Sequence, residues 1–252
     1  MKPEQAIPET FDKLAAWNRS AVLREVYRGF HRMIAAQLPV TVPGPVVELG
    51  SGFGSIKEVI PQCVCTDVSP GVGIDRVENA YRLNFADETV ACLILFDVFH
   101  HLRHPGTALA EFRRVLRPGG RVVVFDPCVS LLGLLVYGLL HKEPVALGKA
   151  IGWLAPPGWS SEQDPYYSAQ GNAYRVFGRR EQGCDLSGWH LLKVTRLSAL
   201  SYVLSGGYSH PPCYPFGALP LLRWLDRVCD LFPAWFATRM LAVLEKPDGT
   251  CG

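Results

Sequence analysis

Three observations predict an α/β fold with a doubly wound, mostly parallel sheet. Short apolar runs alternate with helical segments between residues 46 and 125. One of them, residues 89–96, is apolar throughout, as in a parallel strand covered on both faces. A glycine-rich turn follows the first run, where an open α/β sheet places its ligand.

The elements follow in order. Residues 10–38 read as one long helix with Phe11, Leu14, Val22, Val26, Phe30 and Ile34 near helical spacing. Three prolines and a glycine in residues 39–45 end it. Residues 46–49 form a strand, 55–60 a short helix closed by Pro61, and 63–67 and 77–80 the next two strands. After the apolar strand 89–96 come a helix over 105–116, a turn at Arg117-Pro118-Gly119-Gly120 and a strand over 121–125. Regularity breaks after Asp126-Pro127: residues 128–188 hold an apolar helix, a Pro/Gly/Trp-rich stretch and the Tyr166-Tyr167 pair, read as an insertion over the active site. A strand over 190–200, an interrupted helix over 220–236 and a strand over 240–245 bring the strand count to seven.

Composition narrows the function classes. With 48% hydrophobic and 19% charged residues the chain buries a core and is not disordered. A net charge of +2 leaves no general footprint for nucleic acid, and Arg113, Arg114, Arg117 and Arg121 read as a solvated helix-end face. The eight cysteines are scattered and no apolar signal segment opens the chain, so a reducing cytoplasm is expected. Cys63 and Cys65 point to one face of a strand and read as core thiols; no second ligand pair accompanies them, and no metal is expected. Residues 129–140 are too short to span a bilayer, which takes about 20 residues. They read as a buried helix. The alternative is peripheral membrane contact, shared with Trp153, Trp159, Trp224 and Trp235.

Chemistry concentrates at three strand ends. Glu48-Leu49-Gly50-Ser51-Gly52-Phe53-Gly54 has glycines at alternate positions, and Ser55 stands where a dinucleotide fingerprint needs its third glycine. A carboxylate before the glycines suits a cationic ligand better than a pyrophosphate. Asp67 ends the second strand, where an acid accepts hydrogen bonds from both ribose hydroxyls. Asp97-Val98-Phe99-His100-His101-Leu102 ends the fourth, and its histidines titrate near neutrality, as a catalytic base must.

These motifs, with residues 80–87 and 114–124, resemble in order and spacing the class I S-adenosylmethionine-dependent methyltransferases, type 11-like, over about residues 45–127. The resemblance implies a Rossmann-like sheet and S-adenosylmethionine as cofactor. It places Glu48 near the methionine ammonium, Gly50, Gly52 and Gly54 around the methionine moiety, Asp67 on the ribose, Asn79 and Ala80 beside adenine, and Asp97 at the cofactor edge. His100, ahead of His101, is the expected base. A second resemblance, to a bacterial methyltransferase subgroup, rests on residues 137–144, 171–173 and 176–177. His141, Glu143 and Asn172 are its candidates for a polar acceptor, and Tyr166 and Tyr167 for an apolar pocket wall.

The expected organisation is a single domain over 1–252: a helical arm (1–44), a cofactor core (45–127), a substrate-side insertion (128–188), and C-terminal strands and helices (189–252). The acceptor is expected to be a small or lipid-like molecule, not nucleic acid; the oligomeric state is left open. Two other readings stay open: a non-catalytic S-adenosylmethionine-binding protein acting through partners, and a nucleotide-cofactor oxidoreductase.

Overall fold

The computed structural model describes residues 3–140, 143–164 and 166–248. Its sheet contains β1 (Val46–Leu49), β2 (Val64–Asp67), β3 (Arg76–Val77), β4 (Val90–Phe96), β5 (Leu116–Pro127), β6 (His190–Leu197) and β7 (Arg239–Glu245). The strand order is β3-β2-β1-β4-β5-β7-β6. β1 to β5 pair in parallel, while β7 runs antiparallel to β5 and β6 on either side of it. This is the doubly wound, mostly parallel seven-stranded sheet expected.

Period-2 alternation divides the core between the two faces. Leu93, Leu95, Val122 and Val124 face one side, where helix α3 (Pro105–Val115) adds Ala108, Leu109, Phe112 and Val115. Cys92, Ile94, Phe96, Val123 and Phe125 face the other, under Val22, Leu23, Val26, Phe30 and Ile34. Both faces of β4 are therefore covered, which is why its sequence is apolar without interruption.

The arm is two helices, not one: α1 (Pro3–Arg19) and α2 (Ala21–Ala35). Ser20 takes an extended conformation and its Oγ accepts from Leu23 N at 3.1 Å, capping α2. The break resets the helical phase. Phe11, expected inward, is exposed, and Ala16 and Trp17 are buried instead.

Four further boundaries differ from expectation. Residues 55–58 make only a single 3₁₀ turn. β3 is two residues long, leaving Asn79 and Ala80 in the loop beyond it. The Arg117–Gly120 turn is absorbed into β5 as an irregularity: pairing with β4 jumps from Val90–Leu116 to Cys92–Arg121, with Gly119 at φ 71°. β6 stops at Leu197, because Ala199 turns left-handed (φ 47°) before α5 (Leu200–Leu204).

The apolar stretch after β5 is not the buried helix expected. In α4 (Leu131–Leu135) the buried contact is Gly133, where an added Cβ would stand 2.3 Å from the Cys128 carbonyl. With that glycine inward, Leu131, Leu134 and Leu135 face outward, and Leu139 is 74% exposed. α4 packs on α7 (Pro233–Phe236), which follows α6 (Leu219–Cys229), and Trp224 and Trp235 are exposed there too. Among the described residues no helix is long and apolar enough to cross a membrane.

Candidate active site

The carboxyl ends of β2, β1 and β4 lie side by side, and the glycine turn leaves the middle one. Gly50, Gly52 and Gly54 all have positive φ (68°, 63° and 71°), a conformation that penalises any Cβ. Their surroundings differ. An added Cβ would strike Val98 Cγ2 at 2.5 Å from Gly50 and the Gly73 carbonyl at 2.6 Å from Gly54, but from Gly52 it would meet nothing within 4 Å. Two glycines thus permit close packing within the protein, and the middle one faces open space. Ser51 pins the turn to β2: its amide donates to the Thr66 carbonyl (2.8 Å) and its Oγ accepts from the Thr66 amide (3.1 Å).

Asp67 ends β2 partly exposed, with Oδ2 accepting from the Gly52 amide at 3.1 Å. Glu48 lies beneath the turn, and burial pushes its carboxyl up to about 8, which favours the protonated form at neutral pH. Trp17 packs on Phe53 of the turn (5.4 Å between centroids), bringing the arm over this end of the sheet. Asn79 is committed locally: its Oδ1 accepts from Tyr81 N at 3.0 Å and its Nδ2 donates to Ser161 Oγ at 2.8 Å. Asp97, left-handed at φ 56°, pairs with Arg239, a buried guanidinium stacked 4.4 Å from the Tyr202 ring centroid.

Across the end of β4 stands a second group of polar side chains. Asp126, at the end of β5, accepts from the His100 amide (Oδ2, 3.1 Å) and from ring Nδ1 (Oδ1, 3.1 Å). His100 Nε2 lies 3.5 Å from Glu143 Oε2. Burial opposes a charge on His100, but Asp126 and Glu143, flanking the ring's two nitrogens, outweigh it and hold its pKa at about 10. His101 is its opposite: burial, aided by the charge on His100, holds it down to about 4. Its Nδ1 is 3.0 Å from the Tyr167 carbonyl. A carbonyl can only accept, so Nδ1 carries the hydrogen and Nε2 keeps the lone pair.

Glu143 accepts from Tyr166 Oη, from Ser168 Oγ at 2.8 Å and from Gln170 Nε2; burial raises its carboxyl, but His100, Tyr166, His101 and Ser168 together hold it well below the usual range. The insertion docks on the same turn, where the Ala169 amide donates to the His100 carbonyl (3.0 Å). Glu143, Tyr166, Tyr167 and Lys149 line a cleft of about 340 Å³ here. Asn172 is buried behind it, its Nδ2 donating to Tyr167 Oη at 3.2 Å. His141 lies outside the described residues. Cys63 and Cys65 are buried free thiols.

The structure thus brings Glu48, Gly52 and Asp67 together at one edge, and His100, His101, Glu143 and Tyr166 at another. Asn79 and Asn172 stand behind, held by protein partners. Asp126, Arg239, Ser168 and Gln170 were missed by sequence reasoning. Asp126 alone had a signal, an acid ending an apolar strand, but in the sequence it marks only the point where regularity breaks.

A sheet of order 3-2-1-4-5-7-6 with a glycine turn after β1 and an acid ending β2 defines a class I methyltransferase fold. Residues 47–124 match the family model "Methyltransferase domain". Over that segment the chain is similar to the class I S-adenosylmethionine-dependent methyltransferases. A protein of Micromonospora griseorubida named "Putative 23S rRNA (guanine-N(1)-)-methyltransferase" is 33% identical over 153 residues, 53% of this chain and 50% of that one. The chain spans half the length, or less, of the curated relatives it matches. Two solved structures share the fold. One is a chain of the complex between the Haloferax volcanii Trm112 methyltransferase activator and a "putative methyltransferase" (TM-score 0.54, 16% identity, 89% of this chain and 92% of that one). The other is geranyl diphosphate C-methyltransferase of Streptomyces coelicolor (TM-score 0.52, 10% identity, 86% and 78%).

Proposed function

We propose that the chain transfers a methyl group from S-adenosylmethionine to a small-molecule or lipid-like acceptor. The observation that carries this reading is the pairing of two edges around the end of β4: the open face of Gly52 beside Asp67, and the cleft of Glu143 and Tyr166 beside the histidines. The residues fit the cofactor. Gly52 leaves open space on its face of the turn, Asp67 would offer a carboxylate to the ribose hydroxyls, and Glu48 would ionise in answer to the ammonium.

When bound, S-adenosylmethionine supplies a methyl group on a sulfonium, displaced in line by the acceptor. The protein's task is to position and deprotonate that acceptor. His101 suits the second part, being neutral with its Nε2 lone pair directed away from the Tyr167 carbonyl. His100, held as an imidazolium between Asp126 and Glu143, positions its neighbour and does not itself take a proton. An acceptor oxygen or nitrogen held beside the histidines would pass its proton to His101 Nε2. The small cleft supports a compact acceptor, and the exposed leucines of α4 beside α7 support one drawn from a lipid surface. The Micromonospora relative favours a second reading, an RNA base as acceptor.

Calorimetric titration with S-adenosylmethionine and S-adenosylhomocysteine, then incubation of labelled cofactor with small-molecule, lipid and ribosomal RNA fractions, tests this. Binding of both, with label entering the small-molecule or lipid fraction, is expected. Label confined to RNA overturns the acceptor, binding without turnover favours a non-catalytic binder, and a response to NAD alone overturns the cofactor.

A further inference from the structure

We propose that His100, His101 and Glu143 form a binding site for one divalent transition-metal ion, of which Zn²⁺ is the best fit. One donor atom from each of the three lies within 4.8 Å of the other two. His100 Nε2 and Glu143 Oε2 are 3.5 Å apart, long for a charged hydrogen bond, which closes to about 2.7–2.9 Å. The same separation suits two ligands of one ion. Atoms each about 2.1 Å from a tetrahedral centre stand about 3.4 Å from one another.

The surroundings of the three ligands carry the argument further. A metal-bound histidine donates its other ring hydrogen to a carboxylate or carbonyl, which fixes the tautomer and aims the ring. Both histidines already do this: His100 Nδ1 donates to Asp126, and His101 Nδ1 to the Tyr167 carbonyl. Each ring therefore turns Nε2 toward the ion, that of His101 with its lone pair free and that of His100 on release of its proton as the cation binds. The third ligand is steadied in the same way, Glu143 accepting from Tyr166, Ser168 and Gln170. A hydrogen-bonded cluster with no ligand explains one oriented histidine; it does not explain two adjacent ones oriented alike beside a braced carboxylate.

Donor chemistry selects the ion. Two imidazoles and one carboxylate suit zinc and its first-row neighbours, whereas magnesium and calcium prefer oxygen alone. Three protein ligands leave a fourth position, and one of the three, Glu143, lines the neighbouring cleft with Tyr166 and Tyr167. The ion's role there rests on the methyl-transfer reading: an acceptor hydroxyl or thiol bound at the fourth position loses its proton more readily. The lone pair of His101 then belongs to the ion, and acceptor activation passes from imidazole to metal.

The test is chelator-stripped full-length protein titrated with ZnCl₂ against a competing chelating dye, with Co²⁺ as a spectroscopic substitute. About one equivalent of Zn²⁺ should bind, and Co²⁺ should show bands of a nitrogen/oxygen set without thiolate charge transfer. His101→Gln and Glu143→Gln should each weaken binding at least about tenfold, and Asp126→Asn about 10–100-fold through His100. Cys213→Ser, removing an exposed thiol outside the site, should change nothing. Circular dichroism and S-adenosylhomocysteine titration of each variant report folding and the cofactor site separately. No stoichiometric Zn²⁺ binding by wild-type protein, or binding indifferent to His101→Gln and Glu143→Gln, overturns the site. Loss of S-adenosylhomocysteine binding by wild-type protein, with Zn²⁺ still bound, overturns the methyl-transfer reading and leaves the metal site standing.

Discussion

The two edges of the candidate site are built by different means. On the cofactor edge the main chain does most of the work: three left-handed glycines, a turn hydrogen-bonded to β2, and one carboxylate at a strand end. On the acceptor edge side chains do it. Asp126, His100 and Glu143 come from β5, from the turn after β4 and from the insertion, and no short stretch of sequence holds them together. A main-chain site tolerates drift of neighbouring side chains, because its shape is set by φ and by strand register. A side-chain site is re-tuned by one substitution. The contrast accounts for a fold whose relatives bear names as different as an RNA and a geranyl diphosphate methyltransferase.

Variants on either edge can break or sharpen that comparison. His101→Gln should have the largest effect, lowering turnover about 10²–10⁴-fold, the range for losing a general base, while S-adenosylhomocysteine affinity stays within about twofold. Equal loss of turnover and affinity would mean that the edges are one unit. Next comes His31, in the core between α2 and Phe96, with both ring nitrogens buried and unpaired. Burial lowers its folded pKa to about 4 against 6.5 for the exposed group. On acidification the unfolded chain takes the proton first. Stability is therefore full above about 6.5, falls as pH drops from there to about 4, and loses about 3 kcal/mol in all. Urea melts across that range measure it, and His31→Phe should reduce the slope, leaving the part that His101, also held down to about 4, contributes.

Asp67→Ala should weaken cofactor binding by about 1–3 kcal/mol and leave Zn²⁺ affinity unchanged, as calorimetry with each ligand would show. The smallest effects should come from Gly52→Ala and Gly54→Ala. Each costs about 1–2 kcal/mol for a left-handed alanine. Gly54→Ala should lose more in thermal melts because its Cβ meets the Gly73 carbonyl, and Gly52→Ala should lose more in cofactor affinity. The reverse order would remove Gly52 from the cofactor's path.

What was legible in the sequence follows the same division. β1, β4 and the glycine turn were readable because their signals are local: apolar runs covered on both faces, and a spacing of three glycines. The Ser20 break was not, since Val22, Val26, Phe30 and Ile34 keep helical spacing on one side of it and nothing in that pattern marks a reset. The outward turn of α4 was hidden because a single close contact, Gly133 on the Cys128 carbonyl, decides which face goes in. On the acceptor edge Glu143 was legible as a candidate beside an imidazole, but the imidazole is His100, 43 positions earlier in the chain. That pairing depends on how residues 143–145 lie along 169–171, through the Gln170 and Gly171 amides, and tertiary contacts of this kind leave no spacing to read.

The position of β7 also has a consequence for the order in which the molecule forms. It follows β6 in the chain yet lies between β5 and β6, and Arg239 at its start supplies the counter-charge to Asp97. During synthesis β5 waits with an open edge, and β6 has no neighbour to pair with, until residues 239–245 leave the ribosome. The glycine turn and its strands are made well over a hundred residues earlier, so every residue of the cofactor edge is in place along the chain while the sheet still lacks its central antiparallel strand. Such long-range closure is slow and exposes strand edges to aggregation in the interval.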